Sequence, residues 1–500
     1  MQIAEGFADA RYALWSPDGK KPMTLEPKSG LLPLMAAVIC ACVLPASLAA
    51  QQDAPAQQPA DTAAQTQTTP PAPAPGPVGG VEEYRLDAPN LGRSFLVPRL
   101  TVSEVYDTNT GYGSTTGSAQ SDEISTLTGG LSLQLLGRNS TFSIDANSTG
   151  LIYAHQRQPN SSIETLGVTE KLTVRRWNLL FGENFSYLPN SGFGLGGLGF
   201  VGGGAGGYAG VGGVTGFSPG TVPIQGIGST NASQFSSASV FQAQYLLNGN
   251  SSFTGSVVVS YLHYFESAML DSRQIAPRVS YDYGMTKRDT LTFSYQASLL
   301  DYASGIPGFT SHYFQVGYRR LLTGRLNFSV LAGPVVSQFS PFTGMTTVPG
   351  GSTAVSWSLT SSLAYRMRRG GLNFTYIHGV SSGSGVYAGT TADTVSGGAT
   401  LQFSRDWSGS VSMSFARNQT LEQTTPNLPA NTTESFIYWN TGGTISRHLG
   451  RYSTFNFNYN ASRQTGATNV CLMGIPCGPI ALVQVAGISI SWSTRPLKLE

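Results

Sequence analysis

Charged side chains that alternate with apolar ones are the residues in this sequence best placed to act on a solute. In residues 291–296, one set of alternate positions is apolar or aromatic and the other carries hydroxyl and amide groups. A few charges fall on the polar set elsewhere: Asp145, Lys171, Arg175, Arg278, Asp282, Arg319 and Arg366. Such groups on one wetted surface would select solutes by charge, with a slight preference for anions. The alternative, that Arg175, Arg319 and Arg366 simply belong to basic turns, stays open.

Catalytic motifs are not found around the five histidines of the sequence, His155, His263, His312, His378 and His448. No His-Glu-x-x-His pair occurs, and no Gly-x-Ser-x-Gly elbow lies between a strand and a helix. No basic patch with interleaved aromatic residues stands out. The sequence therefore predicts neither an enzyme nor a nucleic-acid-binding protein, and it predicts no metal and no cofactor.

The alternating pattern runs from near Ser94 to about Ser493 and indicates one large all-β domain. Charged residues make up 11% of the chain, against about 25% in a typical soluble protein. The polar positions thus carry hydroxyl and amide groups but almost no charge. An apolar face opposite a wet, uncharged face is typical of a transmembrane antiparallel up-and-down β-barrel, whose outside contacts lipid and whose lumen holds water.

Turn signals give the number of strands. Eight tight, mostly basic or Gly/Asn-rich turns lie at 137–139, 175–177, 248–250, 286–289, 323–325, 368–371, 405–407 and 448–451. Nine longer polar connections lie between and around them, and eight turns with nine loops require 18 strands. An even number agrees with bacterial outer-membrane barrels, with short turns in the periplasm and long loops outside. Sixteen strands is the alternative if the first pair is irregular.

The N-terminal region reads as an export signal followed by a tether. Residues 31–50 form an apolar run ending in small residues, so we expect residues 1–50 to be a signal peptide cleaved after Ala49 or Ala50. Met23 is a candidate start, and lipidation at Cys42 is an alternative. Residues 51–93 are rich in Pro, Ala and Gln and are expected to be a disordered periplasmic tether. The barrel is expected to occupy residues 94–500.

Cysteine spacing suggests a small closed loop near the C-terminus. Cys471 and Cys477 remain after removal of the signal, and in an exported protein a disulfide between them is expected.

A glycine-rich segment, residues 193–216, dominates the longest loop, 189–231. It contains no Lys, so it cannot be a phosphate-binding P-loop. Its apolar residues favour a packed role as a constriction of the lumen, although a surface or adhesive loop and tolerated low complexity stay open. The candidate constriction residues are Phe193, Leu195, Leu198, Phe200 and Tyr208.

Three carboxylates break the pattern, because Glu104, Glu170 and Glu183 fall on the apolar positions. Glu170 and Glu183 are equidistant from the turn near Trp177 and are expected to lie directly opposite each other. The preferred explanation is a β-bulge that turns them inward. An interface with a partner and a different strand register are the alternatives.

Residues 95–110 (FLVPRLTVSEVYDTNT) resemble the opening of the putative outer-membrane β-barrel porins, with Pro98, Tyr106, Asp107 and Asn109 at matching places. Some members accompany exosortase-type surface polysaccharide systems. One departure is the C-terminus, where the last strand is expected to end near Trp492 and to be followed by a short tail.

The resemblance and the lumen pattern together imply a passive channel for small polar solutes in a Gram-negative-type outer membrane. A plugged structural or adhesive barrel and a conduit for surface polysaccharide are the alternatives. Outer-membrane lipid and the barrel assembly machinery are the expected partners, and a homo-oligomer is left open.

Overall fold

A computed structural model of the protein describes residues 94–110, 120–156, 158–189, 233–265, 271–303, 308–340, 353–383, 388–420, 435–466 and 482–499. The expected signal peptide and tether, the five candidate constriction residues of the glycine-rich segment, and Cys471 with Cys477 lie outside these residues.

The described residues form eighteen long β-strands and one short terminal strand. The strands are β1 (Phe95–Asp107), β2 (Asp122–Leu136), β3 (Ser140–Tyr153), β4 (Ser161–Val174), β5 (Trp177–Leu188), β6 (Gln234–Leu246), β7 (Ser251–Tyr264), β8 (Ser272–Gly284), β9 (Asp289–Tyr302), β10 (Phe309–Thr323), β11 (Leu326–Phe339), β12 (Thr353–Met367), β13 (Gly370–Gly383), β14 (Ala388–Gln402), β15 (Trp407–Thr420), β16 (Ser435–His448), β17 (Ser453–Gly466), β18 (Val483–Ser493) and β19 (Leu497–Lys498). Among the described residues, no helix is long and apolar enough to cross a membrane.

Each long strand pairs antiparallel with the next, and β1 pairs with both β2 and β18. Tyr106 therefore faces Glu123 of β2 on one side and Ala486 of β18 on the other. The ladder closes on itself, which removes the unpaired strand edges that an open sheet would expose to lipid. The predicted 18-strand antiparallel barrel is confirmed, and the 16-strand alternative is wrong.

All eight predicted tight turns join neighbouring strands. Three of them have only two residues, and one of these connects β4 to β5 through Arg175 and Arg176, with Val174 directly opposite Trp177. Arg175 has a φ of 52°, a left-handed conformation that is favoured in two-residue hairpin turns of the I′ and II′ types. Gly450, in the turn after β16, has a φ of 90°, which glycine adopts without steric cost.

The two faces of the wall divide as the alternation predicts. Large apolar side chains are exposed on the outside, for example Val102, Phe241 and Ile490 at 51%, 63% and 53%. Trp357 and Tyr365, eight residues apart on β12, lie towards the two ends of this apolar band, where interfacial aromatic side chains are expected. The inner positions carry mostly hydroxyl and amide groups.

The inner face is covered unevenly along its length. In β3, the inward side chains Leu151 and Tyr153 near the loop end are 1% and 4% exposed, whereas Thr141 and Ser143 near the turn end are half-buried. An apolar side chain facing a wide aqueous lumen would be exposed to water. The loop half of the inner wall is therefore packed, and the turn half is more open.

The C-terminal tail continues the wall instead of leaving it. After Ser493 the chain shifts register by one residue, and β19 pairs Leu497 with Leu96 and Lys498 with Phe95. Thr494 N–H donates to the Pro98 carbonyl at 3.3 Å, and Leu499 N–H donates to the Ser94 carbonyl at 3.2 Å. The last long strand ends at Ser493, as the expected end near Trp492 predicts, but the short tail was not expected to resume strand pairing with β1 beyond Pro496.

Deleting residues 494–500 is expected to destabilise the barrel by about 1–3 kcal/mol, because several net-favourable backbone hydrogen bonds at the closing seam are lost. The measurement is the temperature at which the refolded protein loses its compact electrophoretic form. Deletion of Glu500 alone is the control, and an unchanged midpoint in the long deletion would contradict a sealing role for β19.

Candidate functional site

Two groups on the inner wall each hold a guanidinium close to a carboxylate. In the first, the carboxylate of Asp145 on β3 accepts a hydrogen bond from Ser132 at 2.5 Å. The Arg99 guanidinium on β1 donates to the same serine at 2.9 Å and lies 3.8 Å from Asp145. Sequence reasoning missed Arg99, although it shares the inward set of alternate positions with the buried Thr101 and Ser103.

The second group lies on β8 and β9. Arg278 donates to Ser294 at 3.4 Å, and Asp282 accepts from Thr292 at 2.6 Å. Arg278 and Asp282 are four residues apart on the same face of β8, so the carboxylate lies in the field of the guanidinium. Charges of both signs thus stand close together on the inner wall, which keeps its local net charge small.

The remaining predicted residues lie nearer the turns. Lys171, Arg319 and Arg366 occupy inward positions close to the turn ends of β4, β10 and β12, and all three are exposed. Arg175 lies in the β4–β5 turn itself. The structure therefore places Lys171, Arg319 and Arg366 at the turn-side opening, with Arg175 beyond them in the turn and with Asp145, Arg278 and Asp282 further in.

Between these charges, hydroxyl and amide groups bond across neighbouring strands. The inner-wall pairs are Ser103–Thr126, Thr128–Thr149, Ser186–Ser236, Ser311–Ser337, Ser329–Ser362 and Asn440–Asn460. Each group in such a pair already has a partner, so a passing solute meets a polar surface that holds its own geometry. Such a lining is suited to weak, exchangeable contacts with polar solutes.

One strand leaves the wall at its loop end. The β12–β13 ladder stops at Leu359 opposite His378, although β12 starts at Thr353 and β13 continues to Gly383. Beyond His378, β13 pairs only with β14, up to Gly383 opposite Ala388. We call residues 379–383 the β13 outer segment.

The β13 outer segment turns to the inner side of the wall. Val380 packs in an apolar cluster with inward side chains of β9, β10 and β11, namely Leu300, Phe309, Tyr313, Val335 and Phe339. The Tyr313 hydroxyl, on a side chain that is 1% exposed, donates to the Val380 carbonyl at 3.0 Å. A backbone segment held against this patch occupies space that a water-filled lumen would otherwise have.

Contacts on either side support the same placement. The Tyr302 hydroxyl of β9 is hydrogen-bonded to the backbone of Gly389 in β14, where φ is 82°. Ser358 of β12 is fully buried, and its Oγ accepts from Gln315 Nε2 at 3.0 Å and donates to the Gly333 carbonyl at 3.2 Å. The loop ends of β13 and β14 are thus bonded to the inner face of β9–β10, and the wall beneath them is tightly packed. The alternating pattern gives no sign of this departure.

Histidines near the loop ends pair with carboxylates. Nδ1 of His155, His263 and His378 lies 3.0, 2.7 and 2.7 Å from Asp122, Asp271 and Asp393. His378 also stacks on Trp357, with ring centroids 3.8 Å apart. His312 bonds to the Tyr295 hydroxyl instead, at 2.9 Å. These contacts fix the bases of loops, and among the described residues no group of His, Cys, Asp and Glu is suited to hold a metal ion.

The outward carboxylates stay outward. Val168 faces Glu183 and Glu170 faces Phe181, so the two glutamates are offset by two residues. The expectation that they lie directly opposite each other is wrong, because Val174 pairs with Trp177 and sets the register. The β4–β5 ladder shows no register shift, so the β-bulge explanation is also wrong.

Serines on adjacent strands donate hydrogen bonds to two of the outward carboxylates, Glu183 and Glu104. The carboxylate of Glu183 accepts hydrogen bonds from Ser237, at 2.9 Å, and from Ser239. Glu104 accepts from Ser125 at 2.9 Å. The free-energy cost of a carboxylate on the lipid side is lower when neighbouring hydroxyl groups donate hydrogen bonds to it.

Comparison with known proteins gives structural alignments of low score and low sequence identity. No family model matches the sequence, and no curated protein matches it. OccK2 (OpdF) of Pseudomonas aeruginosa in complex with glucuronate aligns with a TM-score of 0.42 and 8% identity, over 81% of this chain and 98% of that one. Acinetobacter baumannii OccAB3 aligns with a TM-score of 0.40 and 9% identity, over 81% of this chain and 100% of that one. The outer membrane protein OpdK of P. aeruginosa aligns with a TM-score of 0.38 and 9% identity, over 80% of this chain and 98% of that one.

These alignments supply no argument about substrate, and the architecture rests on the strand ladders. The closed antiparallel barrel implied by the resemblance of residues 95–110 to outer-membrane porins is present in this chain.

Replacing Ser237 and Ser239 together by Ala is expected to destabilise the protein by about 1–3 kcal/mol, because Glu183 then lacks hydrogen-bond donors. Adding Glu183→Leu is expected to restore stability to the wild-type level or above, since the whole group becomes apolar against lipid. Urea unfolding in detergent measures both effects. Ser148→Ala, which removes the donor of the exposed Glu164, is the control with an expected cost of about 0–1 kcal/mol. A triple variant no more stable than the double would contradict this account.

Proposed function

We propose that this protein is an outer-membrane channel for the passive diffusion of small polar solutes. The observation that supports the proposal best is the closed wall of eighteen strands with an inner face of paired hydroxyl and amide groups. An 18-strand barrel has an interior wider than its own side chains fill, so water and small solutes have room to pass. The reaction class is transport without chemistry, and we propose no enzymatic activity.

Selection in this channel would come from charge and from width. The inner wall combines the neutralised groups Arg99–Asp145 and Arg278–Asp282 with three exposed basic side chains at the turn-side opening, Lys171, Arg319 and Arg366. This positive charge at the turn-side opening supports a slight preference for anions. It is too small to favour a polyanion, so we do not carry the polysaccharide conduit further.

A second candidate, a barrel that is closed at rest, is favoured by the burial of inward apolar side chains at the loop end. Ile124, Leu151 and Ile163 are 2%, 1% and 2% exposed. The β13 outer segment covers a separate apolar part of the inner wall, on β9, β10 and β11. The glycine-rich segment 193–216 is our proposed second constriction, since its apolar residues would suit the surface formed by Ile124, Leu151 and Ile163.

The proposed setting follows from the barrel. Export would require the signal peptide within residues 1–50, and residues 51–93 would be the periplasmic tether. Insertion into a Gram-negative-type outer membrane would need the barrel assembly machinery. Cys471 and Cys477 are proposed to close a disulfide loop, and a homo-oligomer remains among the proposed assemblies.

Arg278→Gln is expected to lower the anion-to-cation permeability ratio, and Asp145→Asn is expected to raise it, because each removes one member of an inner-wall charge group. Reversal potentials of single channels under a salt gradient measure the ratio. Arg175→Gln, in the periplasmic turn, is the matched control with no expected change. Equal effects of all three substitutions would argue against an inner-wall origin of selectivity.

The channel proposal is tested by single-channel conductance of the refolded mature protein in a planar bilayer, beside a deletion of residues 192–216. The intact protein is expected to conduct, and the deletion is expected to conduct more, since a constriction is removed. A silent intact protein that conducts after the deletion would favour the closed barrel. Silence in both proteins would overturn passive diffusion.

A further inference from the structure

The barrel wall has a gap between β12 and β13, on the loop side of the Leu359–His378 pair. Continuing the register of Leu359 opposite His378 would place residues 354–358 of β12 opposite the β13 outer segment, residues 379–383. Instead, residues 354–358 pair with β11 on one side, and among the described residues no strand pairs with their other edge. We call this edge the β12 free edge.

The β12 free edge lies at the level of the outer interface. It includes Trp357, which is 50% exposed, and Val355, which is 74% exposed and therefore more open than the other large apolar side chains described. Unpaired backbone N–H and C=O groups are unfavourable beside lipid and attract a further strand. The edge is therefore a ready acceptor for five residues of extended chain.

The β13 outer segment fits that edge in length and register. It is already extended by its ladder with β14, and its first residue follows His378, the last residue paired to β12. In that position Val380 would face Trp357 on the outside of the wall. Gly379 adjoins His378, and the φ of 82° at Gly389 on β14 provides a second flexible point. His378, stacked on Trp357 and bonded to Asp393, anchors the base of the movement.

The same segment has a different set of contacts in the lumen. There, Val380 packs with Tyr313 and Val335, and its carbonyl accepts from the Tyr313 hydroxyl. Moving to the wall would exchange this apolar burial and the hydrogen bonds of Tyr313 and Tyr302 for several backbone hydrogen bonds. Each position lacks what the other supplies, which is the condition for two states of similar free energy.

We propose that the β13 outer segment alternates between the lumen position and the β12 free edge, and that this exchange narrows and widens the channel. This proposal rests on the proposed channel function. In the lumen position the segment obstructs the loop half of the bore and leaves the wall incomplete. In the wall position the β12–β13 ladder is complete to Gly383 and the bore is free.

A disulfide that holds the wall position tests the proposal. Trp357→Cys with Val380→Cys places two thiols that would be directly opposite only when the ladder is complete. Leu363→Cys with Phe374→Cys is the matched control, because these residues are directly opposite on the same outer face in the structure as it stands. Both proteins carry Cys471→Ser and Cys477→Ser. Folding of both is checked by the shift in electrophoretic mobility that a folded barrel shows on heating.

Under mild oxidation the control pair is expected to cross-link quickly without a change in conductance. The Trp357→Cys/Val380→Cys pair is expected to cross-link more slowly, because the two thiols meet only when the β13 outer segment reaches the β12 free edge. Once formed, this cross-link is expected to raise conductance by a factor of about two or more. Reduction is expected to reverse the rise. Tyr313→Phe, which removes the hydrogen bond to Val380 but keeps the ring, is expected to raise the time spent in the wider state.

The outcomes separate this proposal from the channel function. A test pair that stays reduced while the control cross-links shows one position only and overturns the exchange. A cross-linked test pair with unchanged or lower conductance overturns its effect on the bore, while steady conductance keeps the channel. Conductance that appears only after the test pair cross-links supports the exchange and rejects a channel open at rest. Silence of every protein in both redox states rejects both.

Discussion

Backbone hydrogen bonding between neighbouring strands is the constraint on which this structure depends. Lipid offers no partner for an N–H or C=O group, so a chain that crosses it with strands must pair every strand on both sides. The β1–β18 ladder and the β19 extension meet that demand at the seam, where the two ends of the barrel come together. The alternation of side chains follows from this closure, because only a closed wall has an inside and an outside.

Departures from the constraint identify where function is expected. At the loop end of β12 the pairing with β13 is absent, and the β13 outer segment is held on the inner wall by Tyr313 and an apolar cluster. A wall that needed only to be stable would have kept these rungs. The polar lining elsewhere is internally paired and nearly neutral, so width at the loop end, more than charge, would limit what passes.

Much of the fold was predictable from local signals. Two-residue periodicity and the turn residues give the strands, their number and their direction, since both signals are read within a few residues. The same periodicity puts Asp145 and Arg278 on the polar positions, and it would also have found Arg99. The turn signals fail to align Glu170 with Glu183, because the turn is centred one residue earlier than expected and this shifts the opposite residue by two. The periodicity also misses the bend of β13 and the pairing of β19, which depend on contacts between residues distant in the sequence.

The meeting of β1 with β19 has a consequence for the order of the chain. Phe95 and Lys498 are directly opposite each other, so the first and last strands are as closely joined as any pair linked by a turn. The wall is therefore a ring in which the starting strand is arbitrary. A circular permutant that joins these ends by a short linker and opens the chain between Thr323 and Leu326 would contain every ladder of the original barrel.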